Sequence, residues 1–196
     1  MNNKQFFPNT ELRAYKSEEG DKMAVEGYAI VFNSESRDLG GFTEIVAPNA
    51  LDGALERNTD VLALYGHDYQ NVLGRQSAGT LKLSKDERGI KFNLDLPNTQ
   101  LGRDVYTLVE RGDLKGNSFG FTVNRDNWDK DKSGKVVRTI EEVKDLFEIS
   151  IVSLPAYEAT ELTMRSFDTF NAESHVNEEV IEEGTNVFPH SLLKHL

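Results

Sequence analysis

Seven stretches of the chain are rich in β-forming residues, and they either alternate between apolar and polar positions or form short apolar runs. Both patterns predict strands. In chain order the stretches are residues 22–33, 61–65, 79–84, 90–96, 115–124, 136–143 and 146–154. The polar residues 85–89 separate two of them and predict a hairpin connection. Residues 126–135 are polar and rich in turn formers, so they predict a loop.

Two other stretches carry helix signals. A short helix is predicted from about residue 48 to residue 57, and a longer one over 100–111. Thr99 is a suitable N-cap for the longer helix, and Gly112 is a suitable stop. Many strands with two helices predict a mainly β fold of the α+β class, in which a barrel-like antiparallel sheet has the helices packed outside.

The predicted elements divide the chain into three parts. Residues 1–10 carry little pattern and are expected to be frayed. Residues 11–167 are expected to form the folded domain. Residues 168–196 are expected to be an acidic, flexible or partner-dependent tail, because they contain scattered apolar residues without a firm period.

Composition narrows the class of protein. The chain has no cysteine, which excludes a disulfide framework, a thiolate metal site and a cysteine nucleophile. Its formal net charge is -11, and an acidic surface disfavours a nucleic-acid partner. The most apolar stretch, 149–157, is too short to span a bilayer, and the first residues lack the apolar run of a signal peptide. We therefore expect a soluble protein with neither nucleic acid nor membrane as partner.

The predicted strand at 115–124 places small polar residues on one face and apolar residues on the other. The small face carries Ser118, Gly120 and Thr122. Ser118 is therefore expected to project from a groove, and Gly116 and Gly120 leave room for another backbone to approach. A serine in a strand is more often a packing residue, so this segment alone leaves nucleophile and structural serine both open.

His67 follows a predicted buried strand, at the corner where the strand turns into a loop. Histidine is the side chain best suited to proton transfer near neutral pH. The other three histidines lie beyond residue 170, so a base or a metal ligand in the folded body would have to be His67. A multi-histidine metal site is not expected, and a purely structural, hydrogen-bonded histidine stays an alternative.

Glu148 lies in the apolar strand predicted at 146–154. Burying a carboxylate there is costly unless it is paired, so Glu148 either faces solvent at an edge or accepts a hydrogen bond from a histidine ring. A serine, a histidine and a carboxylate could supply the nucleophile, the base and the orienting acid of an acyl-transfer triad. Residue types alone are a weak signal, because most chains of this size contain all three.

The ordered set of short motifs resembles the prohead (procapsid maturation) proteases of tailed bacteriophages. The resemblance covers roughly residues 10–165 and is carried by a series of matching stretches. They are residues 26–32, 44–51, Tyr65-Gly66-His67-Asp68, Gly74-Arg75, 102–106, 116–121 and 148–156. Each motif is modest by itself, and the set in this order is specific.

The resemblance implies roles for individual residues. It implies Ser118 as nucleophile, His67 as general base and Glu148 as the acid that orients His67. The family is also similar to herpesvirus assembly proteases, in which a second histidine takes the third role, so a herpesvirus-assembly-protease-like fold is expected. By resemblance Ala156 and Tyr157 are candidate oxyanion donors, whereas Pro155 has no N–H to donate.

A substrate groove is expected beside Ser118. Its predicted lining is Gly116, Gly120 and Phe121, and an extended peptide would enter it by strand addition.

The resemblance further implies a serine endopeptidase that needs no cofactor and no metal. Its expected partners are the phage major capsid protein and the scaffold, which it would cleave along with itself, inside the immature procapsid in the host cytoplasm. Self-association and an origin in a prophage are left open. Two alternatives remain: a non-catalytic capsid-assembly or scaffolding protein on the same fold, and a barrel that binds a small molecule.

Overall fold

The apolar segments of the chain form strands that pair into two sheets, and two helices pack with them. The computed structural model describes residues 3–7, 11–17, 22–57 and 60–153, and for 3–7 it describes the backbone. In chain order the elements are β1 (Asn3–Phe7), β2 (Arg13–Lys16), β3 (Met23–Val31), β4 (Phe42–Val46), α1 (Asp52–Glu56), β5 (Leu62–Tyr65), β6 (Asp68–Arg75), β7 (Leu81–Lys85), β8 (Gly89–Asp95), α2 (Gln100–Arg111), β9 (Gly116–Lys130) and β10 (Val136–Val152).

The larger sheet is built around the long antiparallel pair β9 and β10. Its strand order is β1-β9-β10-β5-β6, and β4 also pairs with β10. β4 runs parallel to the first part of β10, at residues 136–140, and β5 runs parallel to the last part, at residues 148–151. The ladder between β9 and β10 shifts register several times between Ile140 and Glu148. The irregular stretch of β10 therefore lies where its outer partner changes from β4 to β5.

The turn between β9 and β10 is organised by one carboxylate. Asp131 accepts hydrogen bonds from the backbone N–H groups of Ser133 and Lys135 and from the Ser133 hydroxyl. These bonds, that of the Ser133 side chain first, hold the pKa of the Asp131 carboxyl below its usual value. Of the predicted loop 126–135, residues 126–130 thus belong to β9, and residues 131–135 form a short turn between the two long strands.

The smaller sheet has the order β2-β3-β8-β7 and is antiparallel throughout. One continuous hydrophobic cluster draws residues from both sheets and both helices. Among them are Ala54 of α1, Val105 of α2, Phe92 of β8 and Phe119 of β9. All of the described elements belong to one compact unit, Met1–Thr160.

The helix signals predicted α2 from its first residue to its last. The Thr99 side chain accepts a hydrogen bond from the Gly102 N–H, and Gly112 has a left-handed backbone with φ of 78°. The buried face of α2 contains Val105 and Val109, and its opposite face is exposed. Cap, apolar stripe and stop therefore all act at the expected positions.

The prediction of a mainly β fold with few helices is confirmed. The predicted barrel-like arrangement is not confirmed, because the described strands divide into two sheets and form no closed barrel. Residues 1–10 were expected to be frayed, whereas Asn3–Phe7 pairs as a strand with β9. The two strands predicted at 136–143 and 146–154 are the single strand β10. The predicted tail, 168–196, lies outside the described residues.

Among the described residues, no helix has the length and the apolarity that crossing a membrane requires.

A buried ion pair links β10 to β4. Arg138 Nη1 lies 2.6 Å from Glu44 Oε1, with side-chain exposures of 6% and 3%. The Arg138 Nε also donates to Asp126. Charges so far from water are stable only when they are paired, since each would otherwise lose its hydration without compensation.

We expect Arg138→Ala to lower the free energy of unfolding by about 3–5 kcal/mol, because Glu44 would lose its guanidinium partner while still buried. Urea unfolding followed by circular dichroism measures this loss. The matched control is Arg125→Ala: Arg125 is exposed and pairs with Glu141, so its loss should cost at most about 1 kcal/mol. Equal losses in the two variants would contradict the assignment of the Arg138 pair to the core.

Candidate active site

His67 lies in the tight turn between β5 and β6. The turn has only two residues, Gly66 and His67, with φ of 66° and 62°. Positive φ at both positions is the pattern of a type I′ hairpin turn. For histidine this conformation costs about 1 kcal/mol, and such a cost persists only where neighbouring contacts hold it.

Two hydrogen bonds from the backbone N–H groups of this turn to β10 hold the turn in place. The Gly66 N–H donates to the Ile151 carbonyl over 3.0 Å, and the His67 N–H donates to Ser150 Oγ over 3.1 Å. The strained turn is thereby docked onto the strand that carries Glu148. The position of the histidine relative to β10 is thus fixed by the backbone as well as by the ring.

The imidazole of His67 is paired with Glu148. Nδ1 lies 2.7 Å from Oε1, and the two side chains are 9% and 2% exposed. An ionised carboxylate only accepts hydrogen bonds, so Nδ1 is the donor of this pair, and in the neutral ring Nε2 then keeps its lone pair. The second carboxylate oxygen, Oε2, accepts a hydrogen bond of 2.6 Å from the Ser150 hydroxyl. Each oxygen of this buried carboxylate therefore has a donor.

Gly120 makes the space for that carboxylate. Gly120 and Glu148 are direct partners in the ladder between β9 and β10. A Cβ on Gly120 would lie 2.6 Å from Glu148 Oε1 and 3.1 Å from its Cγ. The glycine two residues after Ser118 is therefore required by the Glu148 side chain, which lies over it.

Ser118 lies on the same face of the sheet as Glu148 and Ser150. It is the direct ladder partner of Ser150, and side chains of directly opposite residues point to the same face. Its own exposure is 3%. Among the described contacts, no hydrogen bond joins Ser118 to His67. The structure therefore joins the predicted base and acid directly and places the predicted nucleophile on the neighbouring strand.

The predicted groove residues are placed differently from the expectation. Phe121 is fully buried and packs on Phe119 with ring centroids 4.8 Å apart, so it contributes to the core and lines no open groove. Gly116 is buried as well, at the start of β9. The space beside Gly120 is filled by Glu148. All three residues are therefore buried and line no open groove in the free protein.

Ala156 and Tyr157, the predicted oxyanion donors, lie outside the described residues. Within the described part of the chain, no three His, Cys, Asp or Glu side chains are grouped so that they could hold a metal ion.

Sequence reasoning missed Ser150 as a member of this site. The signal was present, since Ser150 follows Glu148 by two residues in a strand and so shares its face. Nothing in the strand pattern indicated that its hydroxyl contacts both the carboxylate and the turn of His67.

Comparisons with known proteins agree with the resemblance. Residues 10–174 match the family described as Caudovirus prohead serine protease. A prohead protease of Enterobacteria phage HK97 is 27% identical over 166 residues, which is 83% of this chain and 68% of that protein. A prohead protease of Escherichia phage T5 is 27% identical over 94 residues, or 48% of this chain and 40% of that protein.

A solved structure, that of the bacteriophage T4 capsid assembly protease, is similar over 78% of this chain and 99% of its own. The TM-score is 0.50 at 11% sequence identity, so this likeness concerns the fold.

We expect Gly120→Ala to displace the Glu148 side chain and to break its hydrogen bond with His67, because the new Cβ would overlap the carboxylate. Overpacking of this kind costs about 1–3 kcal/mol. Proton NMR measures the effect directly, as the loss or upfield shift of the His67 Nδ1–H resonance. In the control Gly53→Ala, the new Cβ would meet only the flexible end of Arg57, and the His67 resonance should not move. An unchanged resonance in Gly120→Ala would refute the steric argument.

Proposed function

Because the chain belongs to the Caudovirus prohead serine protease family, we propose that Ser118, His67 and Glu148 are the catalytic residues of its serine peptidase activity. The observation that carries the assignment is the buried pair of His67 Nδ1 and Glu148 Oε1 at 2.7 Å. It joins two of the three residues, and the ladder between β9 and β10 places Ser118 on the same face as Glu148.

The proposed reaction begins with a proton transfer from Ser118 Oγ to Nε2 of His67. Oγ attacks the scissile carbonyl carbon, and Glu148 stabilises the imidazolium that forms. His67 then donates its proton to the leaving amine as the C–N bond breaks. A water molecule attacks the acyl-enzyme ester while His67 takes its proton. The ester bond to Ser118 Oγ then breaks, His67 gives the proton to Oγ, and the N-terminal product leaves with a new carboxyl group. Ala156 and Tyr157 stay the proposed donors to the oxyanion.

The environment of Glu148 suits the role of orienting acid. A carboxylate that is 2% exposed would be unstable as a lone charge. Its two donors compensate for the lost hydration and fix its direction. Because the carboxylate cannot rotate freely, it holds the ring of His67 in the tautomer that leaves Nε2 free to accept a proton.

The proposed catalytic hydrogen bond between Ser118 and His67 is formed in the working complex. Such bonds are often long or misaligned in free enzymes and tighten when substrate binds.

We propose that substrate docks as an added strand along β9. The outer edge of β9 is paired with β1 of the same chain, and Phe6 is the ladder partner of Ser118. An extended peptide that replaces β1 would make the same main-chain hydrogen bonds and pass beside the nucleophile. The proposed groove is thus formed at a strand edge, in place of an open groove lined by Gly116, Gly120 and Phe121.

The proposed substrates are the capsid scaffold, or the scaffold segment of the major capsid protein, and the chain itself, cleaved within the immature procapsid. The names of the relatives support a role in capsid maturation and do not favour the alternative of a non-catalytic assembly protein. The herpesvirus-like character of the fold, self-association, the lack of a nucleic-acid partner and a prophage origin remain predictions.

We expect Ser118→Ala to reduce cleavage of the scaffold by roughly 10⁴- to 10⁶-fold, because the nucleophile is removed while the fold is retained. Gel analysis of scaffold mixed with the protein measures this, and mass spectrometry follows self-cleavage. Ser84→Ala is the control, since Ser84 is an exposed serine of β7. Undiminished cleavage by Ser118→Ala, with an unchanged melting temperature, would refute the assignment.

We expect deletion of residues 1–7 to increase the initial rate of cleavage of an added peptide several-fold, because the edge of β9 would no longer be occupied by β1. A synthetic peptide of residues 1–8 added to the truncated protein should inhibit it again. The control is deletion of residues 1–2, which leaves β1 in the chain. If the truncated protein cleaves no faster and the added peptide does not inhibit it, substrate does not dock at this edge.

A further inference from the structure

We propose that Ser150 is a positioning residue, whose hydroxyl holds the acid and the base of the site in one fixed arrangement. The proposal rests on the proposed function of Ser118, His67 and Glu148. Ser150 itself would touch neither substrate nor the reacting atoms.

The hydroxyl of Ser150 bridges two parts of the site. Its Oγ accepts the backbone N–H of His67 over 3.1 Å and donates to Glu148 Oε2 over 2.6 Å. A backbone amide can only donate and an ionised carboxylate can only accept, so the direction of both bonds is fixed. Ser150 is 1% exposed, and water has little access to take over either bond.

Both bonds act on groups that need support. His67 has a positive φ, and its turn would relax more easily without the bond from its N–H. Oε2 of Glu148 would lose the hydrogen bond from the Ser150 hydroxyl, and a buried carboxylate oxygen without a donor favours rotation of the whole group. Rotation would move Oε1 as well, and Oε1 is the atom that holds the ring of His67.

The position of Ser150 also links this pair to the nucleophile. Ser150 and Ser118 are direct partners in the ladder between β10 and β9. The strand that carries the nucleophile and the turn that carries the base are thus both tied to one residue. A shift of about 1 Å in such an arrangement can cost about 10²-fold in rate.

The test compares Ser150→Ala with Ser150→Thr in purified full-length protein. We expect Ser150→Ala to lower kcat by about 10²-fold with KM within about twofold of the parent, because the residue positions the base without touching substrate. Ser150→Thr retains the hydroxyl and should recover most of kcat. In the inactive Ser118→Ala background, which cannot cleave itself, Ser150→Ala should also shift the His67 Nδ1–H proton resonance.

Ser36→Ala is the matched control. Ser36 is a buried serine that also accepts a backbone N–H, that of Glu44, and donates to the Arg37 carbonyl. Its loss should lower the melting temperature without changing kcat or the His67 resonance. If Ser150→Ala keeps the kcat of the parent, or loses only as much as Ser36→Ala, the positioning role is overturned.

Failure of this proposal is distinguishable from failure of the proposed function. Cleavage that persists in Ser118→Ala would refute the catalytic assignment itself. Loss of cleavage in Ser118→Ala together with full kcat in Ser150→Ala would overturn only the role of Ser150. The NMR measurement needs no activity, and an unmoved His67 resonance would overturn the positioning role in either case.

Discussion

The site depends on the register of the ladder between β9 and β10. This register sets Ser118 opposite Ser150 and Gly120 opposite Glu148. A slip of one residue would turn the Glu148 side chain to the other face of the sheet, where Phe119 and Phe121 are packed. The register shifts between Ile140 and Glu148 therefore bear on the candidate site, because they bring the last part of β10 into the alignment that places these residues together.

The buried carboxylate of Glu148 links the pairing of the strands to the geometry of the candidate site. Glu148 is acceptable inside the protein because β5 brings the turn of His67 to it and because Ser150 lies two residues along the same strand. The turn of His67 is in its strained conformation because the same segment of β10 accepts its N–H groups. Each of these contacts supports another one, so the geometry of the candidate site follows from the pairing of the strands.

Elements with a local signal were predictable from the sequence. The cap, apolar stripe and stop of α2 lie within a few residues of one another, and the hairpin of β7 and β8 has a short connection. β6 was missed because it begins with exposed polar residues that are typical of a turn. β4 and β1 were missed because each is stabilised by a partner about 90 or more residues away, which no local pattern reveals.

The same distinction applies to the site. The residue types and their order indicated Ser118, His67 and Glu148 once the family resemblance was added. The reason for Gly120 could not be inferred, because it depends on which residue of β10 lies opposite. Ser150 escaped notice for a similar reason, since its hydroxyl bonds to a main-chain N–H that lies 83 positions away in the chain. Because the donor is a main-chain amide, the identity of the residue that provides it gives no sign that a side chain binds there.

Under the proposed function, the pairing of β1 with β9 offers strand exchange as a physical route for substrate entry. Ser118 is 3% exposed, so a peptide that reaches it has to displace part of the protein. Withdrawing β1 alone would leave the N–H and C=O groups of that edge without partners. An incoming extended peptide supplies the same groups, so the exchange conserves the number of main-chain hydrogen bonds and its net cost is small. Because main-chain bonds hardly distinguish one sequence from another, selectivity among peptides must come from side chains on either side of the scissile bond.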